Sequence, residues 1–364
     1  MLPSSERLLL GPGPSPVSPR VMAALGAPPR SHLDPDMVAL LDDIRARLAR
    51  VFRAGDGALT MAVSGTGTLA MEAAVANLTA PGTTAAVVVS GYFGDRLAQM
   101  LARYGADVER VEGKWGRAAD PDALRHALAA RPADLVAMVH VETSTGVVNP
   151  VADLAAIARE HDALTIVDAV TSLAAMPLDV GAWGLDACYS CSQKGLGAPS
   201  GLSPIAFSAR AIERRVPCRS FSLDLNLLRA FWLDRRYHHT ISAPLVYALH
   251  TALVETEEEG LEDRWRRHER VHGEFLRAIE ARGLVLLPPP GERAWNLNAV
   301  RVPEGVDESS VRRALLTREN VEIGAGLGPL AGRIWRVGLM GFGASSNNAA
   351  RAARALADAA ASSR

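Results

Sequence analysis

The sequence predicts an α/β fold, with a large, doubly wound, mixed but mostly parallel sheet followed by a smaller C-terminal α/β domain. Three observations predict it. From residue 58 onward, short apolar runs alternate with amphipathic helical stretches, the pattern of strands joined by crossover helices. Ala85-Ala-Val-Val-Val89 and Leu164-Thr-Ile-Val167 are apolar without alternation, as strands covered on both faces must be. At 364 residues the chain is too long for one simple core, so two domains are expected.

Taken in order, residues 8–20 carry four prolines. They are expected to form an extended arm without regular structure, pinned to another surface by Leu8, Leu9 and Leu10. Asp34-Pro35 is a helix start, an N-cap followed by proline at the first helical position. Met37, Leu40, Leu41, Ile44, Leu48 and Phe52 then recur at helical spacing. Strands are expected near 59–63, 85–89, 107–111, 135–141, 164–168, 186–191 and 204–208. Between them come helices near 67–79, 95–104, 120–130 and 151–161. Residues 217–241 read as less regular, followed by long helices at 242–258 and 261–282. Leu286-Leu-Pro-Pro-Pro-Gly291 marks a linker or loop. Beyond it, strands near 295–302 and 333–339 and helices near 307–317 and 345–361 make the smaller domain. The expected division is an arm at 1–20, a large domain at 21–255 and a small domain at 256–364.

Composition narrows the function. Apolar residues make up 48% and charged ones 22%, with 39 basic and 40 acidic residues and a net charge of −1. That balance offers no nucleic-acid or membrane surface, and no apolar run approaches the roughly 20 residues of a membrane span. Met1 to Leu10 has no secretory layout, and the final Ser-Ser-Arg364 is not a peroxisomal ending. Three cysteines argue against a disulfide framework and fit a reducing, cytoplasmic setting.

Three stretches carry chemistry. Lys194 sits where the strand around Cys188-Tyr-Ser-Cys191 runs into a loop broken by Gly195, Gly197, Pro199 and Gly201. Asp168 closes the apolar strand Leu164-Thr-Ile-Val-Asp168. Ser64-Gly-Thr-Gly-Thr68 follows a strand and opens a helix, so glycine backbone, free N–H groups and the hydroxyls of Thr66 and Thr68 could cradle an anion. Each alone has a plainer reading: a solvated lysine, a strand-end cap, a strand-to-helix turn. Together, and all at the carboxyl ends of strands where such sheets bind ligands, they supply a Schiff-base amine, a carboxylate and a phosphate cradle. Pyridoxal 5'-phosphate needs those three things from a protein.

The Asp168/Lys194 pair, with Ser-Gln-Lys194 before the Gly/Pro loop, resembles the class V aminotransferases of pyridoxal-phosphate fold type I, in their alanine–glyoxylate and serine–pyruvate branch. The likeness covers nearly the whole chain. It includes Leu9-Leu-Gly-Pro-Gly-Pro14, Ser64-Gly-Thr-Gly67, Glu142-Thr-Ser-Thr-Gly146, Tyr189-Ser-Cys-Ser-Gln-Lys194, Phe221 to Asp224, Tyr237-His-His-Thr240, Gly326-Leu-Gly328 and Arg336-Val-Gly-Leu-Met-Gly341. The resemblance implies that Lys194 bonds the cofactor's aldehyde and later shuttles a proton, while Asp168 keeps the pyridine nitrogen protonated. It implies that Gln193, Thr66, Gly67 and Thr68 hold the phosphate, that Val170 and Phe93 flank the ring, and that Thr143 nears the phenolate. Arg336 would grip the substrate α-carboxylate. Tyr237 and Thr240 would reach the phosphate of a partner subunit's cofactor, which requires a homodimer. Thr68 and Phe93 depart from the histidine and tryptophan of the mammalian alanine–glyoxylate enzyme. The implied reaction is ping-pong transfer from a small donor, alanine or serine, to a small 2-oxo acid, glyoxylate or pyruvate.

Other residues have structural readings. Cys188 and Cys191 are expected on opposite faces of one strand, and no second pair completes a zinc site. His238 and His239 read as loop packing, Glu255-Thr-Glu-Glu-Glu259 as a solvated helix end, and Trp295 and Trp335 as core in strands. The rival readings are a lyase of the cysteine desulfurase kind, for which Cys218 is the only loop thiol, and a fold relative without catalysis.

Overall fold

The chain is described by a computed structural model over residues 7–363. The expectations for Met1 to Glu6, and for Arg364, lie outside the described residues. The large sheet has seven strands: β1 Leu59–Gly65, β2 Thr84–Val89, β3 Asp107–Glu112, β4 Leu135–Val139, β5 Leu164–Asp168, β6 Ala187–Tyr189 and β7 Gly201–Phe207. Their order across the sheet is β1-β7-β6-β5-β4-β2-β3. Strand β7 runs antiparallel to both neighbours, β1 and β6, and every other pair is parallel. All strands but β7 therefore end on one edge of the sheet, and β1, β5 and β6 deliver their loops there. The α/β class and the mostly parallel sheet are as expected. Every residue of β4 and β5 is buried, which is why neither run alternates.

Helix Pro35–Phe52 is capped by Asp34 and buries Met37, Leu41, Ile44, Leu48, Val51 and Phe52, the spaced face read from the sequence. Helix Tyr92–Arg103 starts three residues earlier than expected and so takes in Phe93. The strand expected at 135–141 breaks at His140, after which Val141–Glu142 pairs with Val147–Val148. The stretch 217–241 is more regular than expected. Asp224 caps a helix at Leu225–Asp234 whose buried Leu225, Leu228, Phe231 and Trp232 keep helical spacing. Cys191 is not in a strand, because β6 stops at Tyr189 and Cys191 lies in the irregular link before the turn at Ser192 and Gln193.

A second hydrophobic core forms around Val271, Phe275, Ile279, Val311, Trp335, Val337 and Leu356. Over it lies a three-stranded antiparallel sheet of Leu297–Arg301, Ile334–Gly338 and Gly324–Ala325. Trp335 is core in a strand as read, whereas Trp295 lies just before one and is only partly buried. Leu286 bridges to Val300, so the proline-rich stretch folds into this second core.

The arm is pinned, and part of it is regular. Leu8–Leu9 pairs in parallel with Val321–Glu322, Leu10 is buried in the second core, and Pro19 begins a helix at Pro19–Leu25 capped by Ser18. Proline at the first helical position needs no N–H acceptor, so it starts this helix instead of breaking it.

The acidic run 255–259 is not a solvated end. Glu255 accepts from Ser18 Oγ at 2.8 Å, Glu257 pairs with Arg47 and Arg50, and Glu258 pairs with Arg20. Glu259 pairs with buried Arg264 at 2.6 Å and with Arg267 at 2.5 Å. These partners come from the arm and two other helices, mostly far away in sequence. Removing Glu259 leaves Arg264 buried and unpaired. Glu259→Ala is therefore expected to cost roughly 3–5 kcal/mol in thermal or urea unfolding, whereas Glu258→Ala, an exposed pair, should leave the transition where it is.

Candidate active site

The carboxyl edge of the sheet opens into a cavity of about 250 Å³. Its walls include Thr66, Gly67, Thr68, Phe93, Thr143, Asp168, Val170, Gln193, Lys194 and Arg336. Residues from three strand ends, from helix Tyr92–Arg103 and from the second core thus meet in one place. Tyr237 and Thr240 do not join them. Both are exposed, and Tyr237 packs against the His32 ring at 5.3 Å.

Lys194 is buried, and its Nζ donates to Thr171 Oγ1 at 3.0 Å and Thr143 Oγ1 at 3.2 Å. The two hydroxyls also bond each other. Burial lowers the amine's pKa from its ordinary value, because a charged ammonium loses hydration that hydroxyl dipoles replace only in part. The arm closes over this side chain. Ser15 N donates to Gln193 O at 2.8 Å, and Ser15 Oγ donates to Lys194 O at 2.9 Å. Gly13 lies flat on the lysine: at φ +119°, a Cβ there would stand 3.1 Å from Lys194 Cε, so only glycine fits.

Asp168 ends β5 in register with Tyr189 on β6. The two side chains therefore share a face, and Tyr189 Oη donates to Asp168 Oδ2 at 3.0 Å. Val170 N donates to Oδ1 at 2.8 Å. Burial pushes the Asp168 carboxyl up to about 6, against these two donors and the nearby Lys194 charge.

Helix Gly67–Leu78 follows Thr66, whose side chain makes no capping bond. Leu69 N already donates to Thr66 O at 2.8 Å, which leaves the N–H groups of Gly67 and Thr68 without intrahelical acceptors. A Cβ at Gly67 would meet Val170 Cγ2 at 3.0 Å and Cys191 Cβ at 3.4 Å, so the backbone here comes close against the residue beside Asp168. The Gln193 side-chain oxygen is buried without a partner. A phosphorylated pyridine aldehyde fits this set: the Gln193 amide N–H donors and the helix-start N–H groups for an anion, a buried carboxylate for a ring nitrogen, and a low-pKa amine for an aldehyde.

Arg336 is buried in the central strand of the small sheet. Its Nε donates to Ala325 O at 2.7 Å and its Nη1 to Thr143 O at 3.2 Å. Burial lowers its pKa to about 10, still charged at neutral pH. No carboxylate pairs with it among the described residues within 4.0 Å. Two of its five N–H donors are spoken for, leaving three for an anion.

Several residues here were not singled out from the sequence. Thr171 and Tyr189 complete the hydrogen bonds of Lys194 and Asp168. Glu142, fully buried, accepts from the N–H groups of Phe93, Gly94 and Ser144 and from Ser144 Oγ at 2.7 Å, which fixes the helix start carrying Phe93. Pro12, Gly13, Arg96 and Leu327 also line the cavity. The cysteines stand apart. Cys191 is buried and its thiol pushed up to about 11 by that burial, and Cys218 lies outside the cavity with Sγ donating to Ser220 O at 3.4 Å.

Known proteins resemble this chain along most of its length. The family model described as "Aminotransferase class-V" matches residues 20–333. The alanine–glyoxylate aminotransferase of Drosophila melanogaster is 34% identical over 350 residues, covering 93% of this chain and 89% of that one. The (S)-ureidoglycine–glyoxylate transaminase of Bacillus subtilis is 33% identical over 366 residues, covering 94% and 88%. The crystal structure of an alanine–glyoxylate aminotransferase from Nostoc sp. superposes with a TM-score of 0.96 at 44% identity, covering 98% of this chain and 96% of that one.

The Asp168 carboxyl yields a pH prediction for the cofactor-free protein. Its folded pKa, about 6, lies above the ordinary 3.8. Its contribution to stability is therefore full at pH below the ordinary value and is lost as pH rises through about 6. Native protein should lose on the order of 3 kcal/mol between those limits that Asp168→Asn does not lose, measured by unfolding of both proteins across pH 4–8.

Proposed function

We infer the reaction from the premise that the chain belongs to the class V aminotransferase family. It is an enzyme that moves amino groups between amino acids and 2-oxo acids. The observation that carries the finer reading is the convergence of Lys194, Asp168, the start of helix Gly67–Leu78 and Arg336 on one cavity.

The cofactor is pyridoxal 5'-phosphate, which when bound supplies an electron sink for charge developing at the substrate α-carbon. Lys194, a neutral amine when deprotonated, would hold the cofactor through its aldehyde and would move a proton to and from the substrate α-carbon. Its lowered pKa serves both tasks. Asp168 offers a buried negative charge to the ring nitrogen, and Tyr189 and Val170 keep the carboxylate aimed. Gln193, Thr66, Gly67 and Thr68 would bind the phosphate, Val170 and Phe93 would flank the ring, and Thr143, bonded to Lys194, would serve the phenolate. Arg336 binds the substrate carboxylate with its remaining donors, and Thr143, touched by both Arg336 and Lys194, fixes their separation. Among the described residues no thiol lines the cavity, which disfavours the desulfurase-like alternative; Cys218→Ser should leave activity intact.

The substrates are a small donor, alanine or serine, and a small acceptor, glyoxylate or pyruvate, exchanged in two half-reactions. A cavity of about 250 Å³ shared with a cofactor suits small side chains. Tyr237 and Thr240, exposed and not among the residues lining the cavity of their own chain, serve the cavity of a second copy in a homodimer. The cofactor-binding part (21–255) and the C-terminal part (256–364) form two units, in line with the two large hydrophobic clusters, and the arm (1–20) is a separate segment whose Leu10 docks on the second. The three free cysteines favour a cytoplasmic setting.

Purified protein loaded with pyridoxal 5'-phosphate should transaminate alanine or serine with glyoxylate or pyruvate. Lys194→Ala should abolish turnover. Arg336→Ala should lower kcat/KM by roughly a hundredfold, the scale of a lost bidentate ion pair. A preference for acidic or aromatic donors in the same panel would contradict the substrate reading.

A further inference from the structure

Among the described residues, three cations line the cavity: Lys194, Arg336 and Arg96. The first two have tasks in the reaction, and the third has none so far. Arg96 sits one turn after Phe93 on helix Tyr92–Arg103, with its guanidinium carbon 4.9 Å from the Phe93 ring centre and 5.3 Å from that of Tyr92. Its Nη1 donates to Thr68 Oγ1 at 3.3 Å. No carboxylate lies within 4.0 Å of it among the described residues. A guanidinium placed this way is oriented but not neutralised.

Its location decides what it faces. Thr68 is the second residue of helix Gly67–Leu78, so the guanidinium stands beside the first-turn N–H groups. Gln193, whose side-chain amide carries two N–H donors, lines the same cavity. Arg336 belongs to the other wall, on the small sheet beyond Thr143.

We propose that Arg96 is the residue by which this chain selects a phosphorylated cofactor, its guanidinium held by Phe93 and Thr68 as counter-charge to the phosphate ester. This rests on the pyridoxal-phosphate reading above and adds a residue to it. The site must discriminate the phosphorylated aldehyde from pyridoxal, which has the same ring and aldehyde without the phosphate. A guanidinium contributes to the first and not to the second, and its contribution is screened by salt.

The test is equilibrium dialysis of cofactor-free native protein, Arg96→Gln and Arg96→Lys against pyridoxal 5'-phosphate and, separately, pyridoxal. Arg96→Gln should bind the phosphorylated aldehyde roughly ten- to a hundredfold more weakly, the scale of a lost charge-assisted hydrogen bond, with pyridoxal affinity unchanged. Arg96→Lys should fall between, since it keeps the charge and loses the planar fork. Added salt should weaken phosphorylated-aldehyde binding more in the native protein than in Arg96→Gln. Unchanged affinity for the phosphorylated aldehyde in Arg96→Gln, or an equal loss for both ligands, would overturn the proposal and leave the cofactor reading standing. Failure of the native protein to bind either ligand would overturn both.

Discussion

The site depends on burying an amine without giving it a carboxylate. Lys194 hydrogen-bonds the hydroxyls of Thr143 and Thr171 and, among the described residues, pairs with no carboxylate, so desolvation lowers its pKa against the weaker opposing effects of Cys191, Asp168 and Glu142. A lysine paired directly with an acid would stay protonated and would be a poor nucleophile. Asp168, the nearby acid, is turned away, its oxygens engaged by Val170 N and Tyr189 Oη. The parallel run of β5 and β6 makes this separation, because adjacent strand ends deliver the two groups to one edge through different loops.

Holding that arrangement takes parts of the chain far from it. The arm crosses the second core at Leu10 and reaches Lys194 through Gly13 and Ser15. Helix Leu261–Glu280 grips the same loop from the other side, where Arg264 Nη2 donates to Gly195 O at 2.8 Å. From the same helix Arg267 donates to Ala344 O at 2.6 Å, and His268 Nε2 accepts from Gly341 N at 3.1 Å. That last bond leaves His268 Nδ1 as the donor to Arg264 O, so the ring is neutral, in agreement with a pKa lowered to about 3 by burial. Glu259 neutralises Arg264 and Arg267 together. The reactive loop, the turn after Arg336 and the acidic run are thus one connected framework.

Much of this was legible in the sequence. The non-alternating runs gave away the buried strands, and the order of strand, acid, strand, lysine put Asp168 and Lys194 on one edge. Glycines before an apolar helix marked the anion-binding turn. What was hidden is non-local. Thr171 and Tyr189 carry no signal until β5 and β6 are in register, and Arg96 is an ordinary helix arginine until Phe93 and Thr68 surround it. The acidic run was misread because its arginine partners include Arg20, Arg47 and Arg50, some two hundred residues earlier. Helix Leu225–Asp234 could have been found from its Asp224 cap and the spacing of its apolar residues, but the aromatic residues and the arginines after it obscured that pattern.

The chain has only two lysines, Lys114 and Lys194, and Lys114 is exposed. The most direct test is to load the native protein with pyridoxal 5'-phosphate, fix the carbon–nitrogen bond by borohydride reduction, and map the added mass by peptide mass spectrometry. The account predicts the modification on Lys194, with none on Lys114 at stoichiometric cofactor. Modification of Lys114, or of neither lysine, would contradict it.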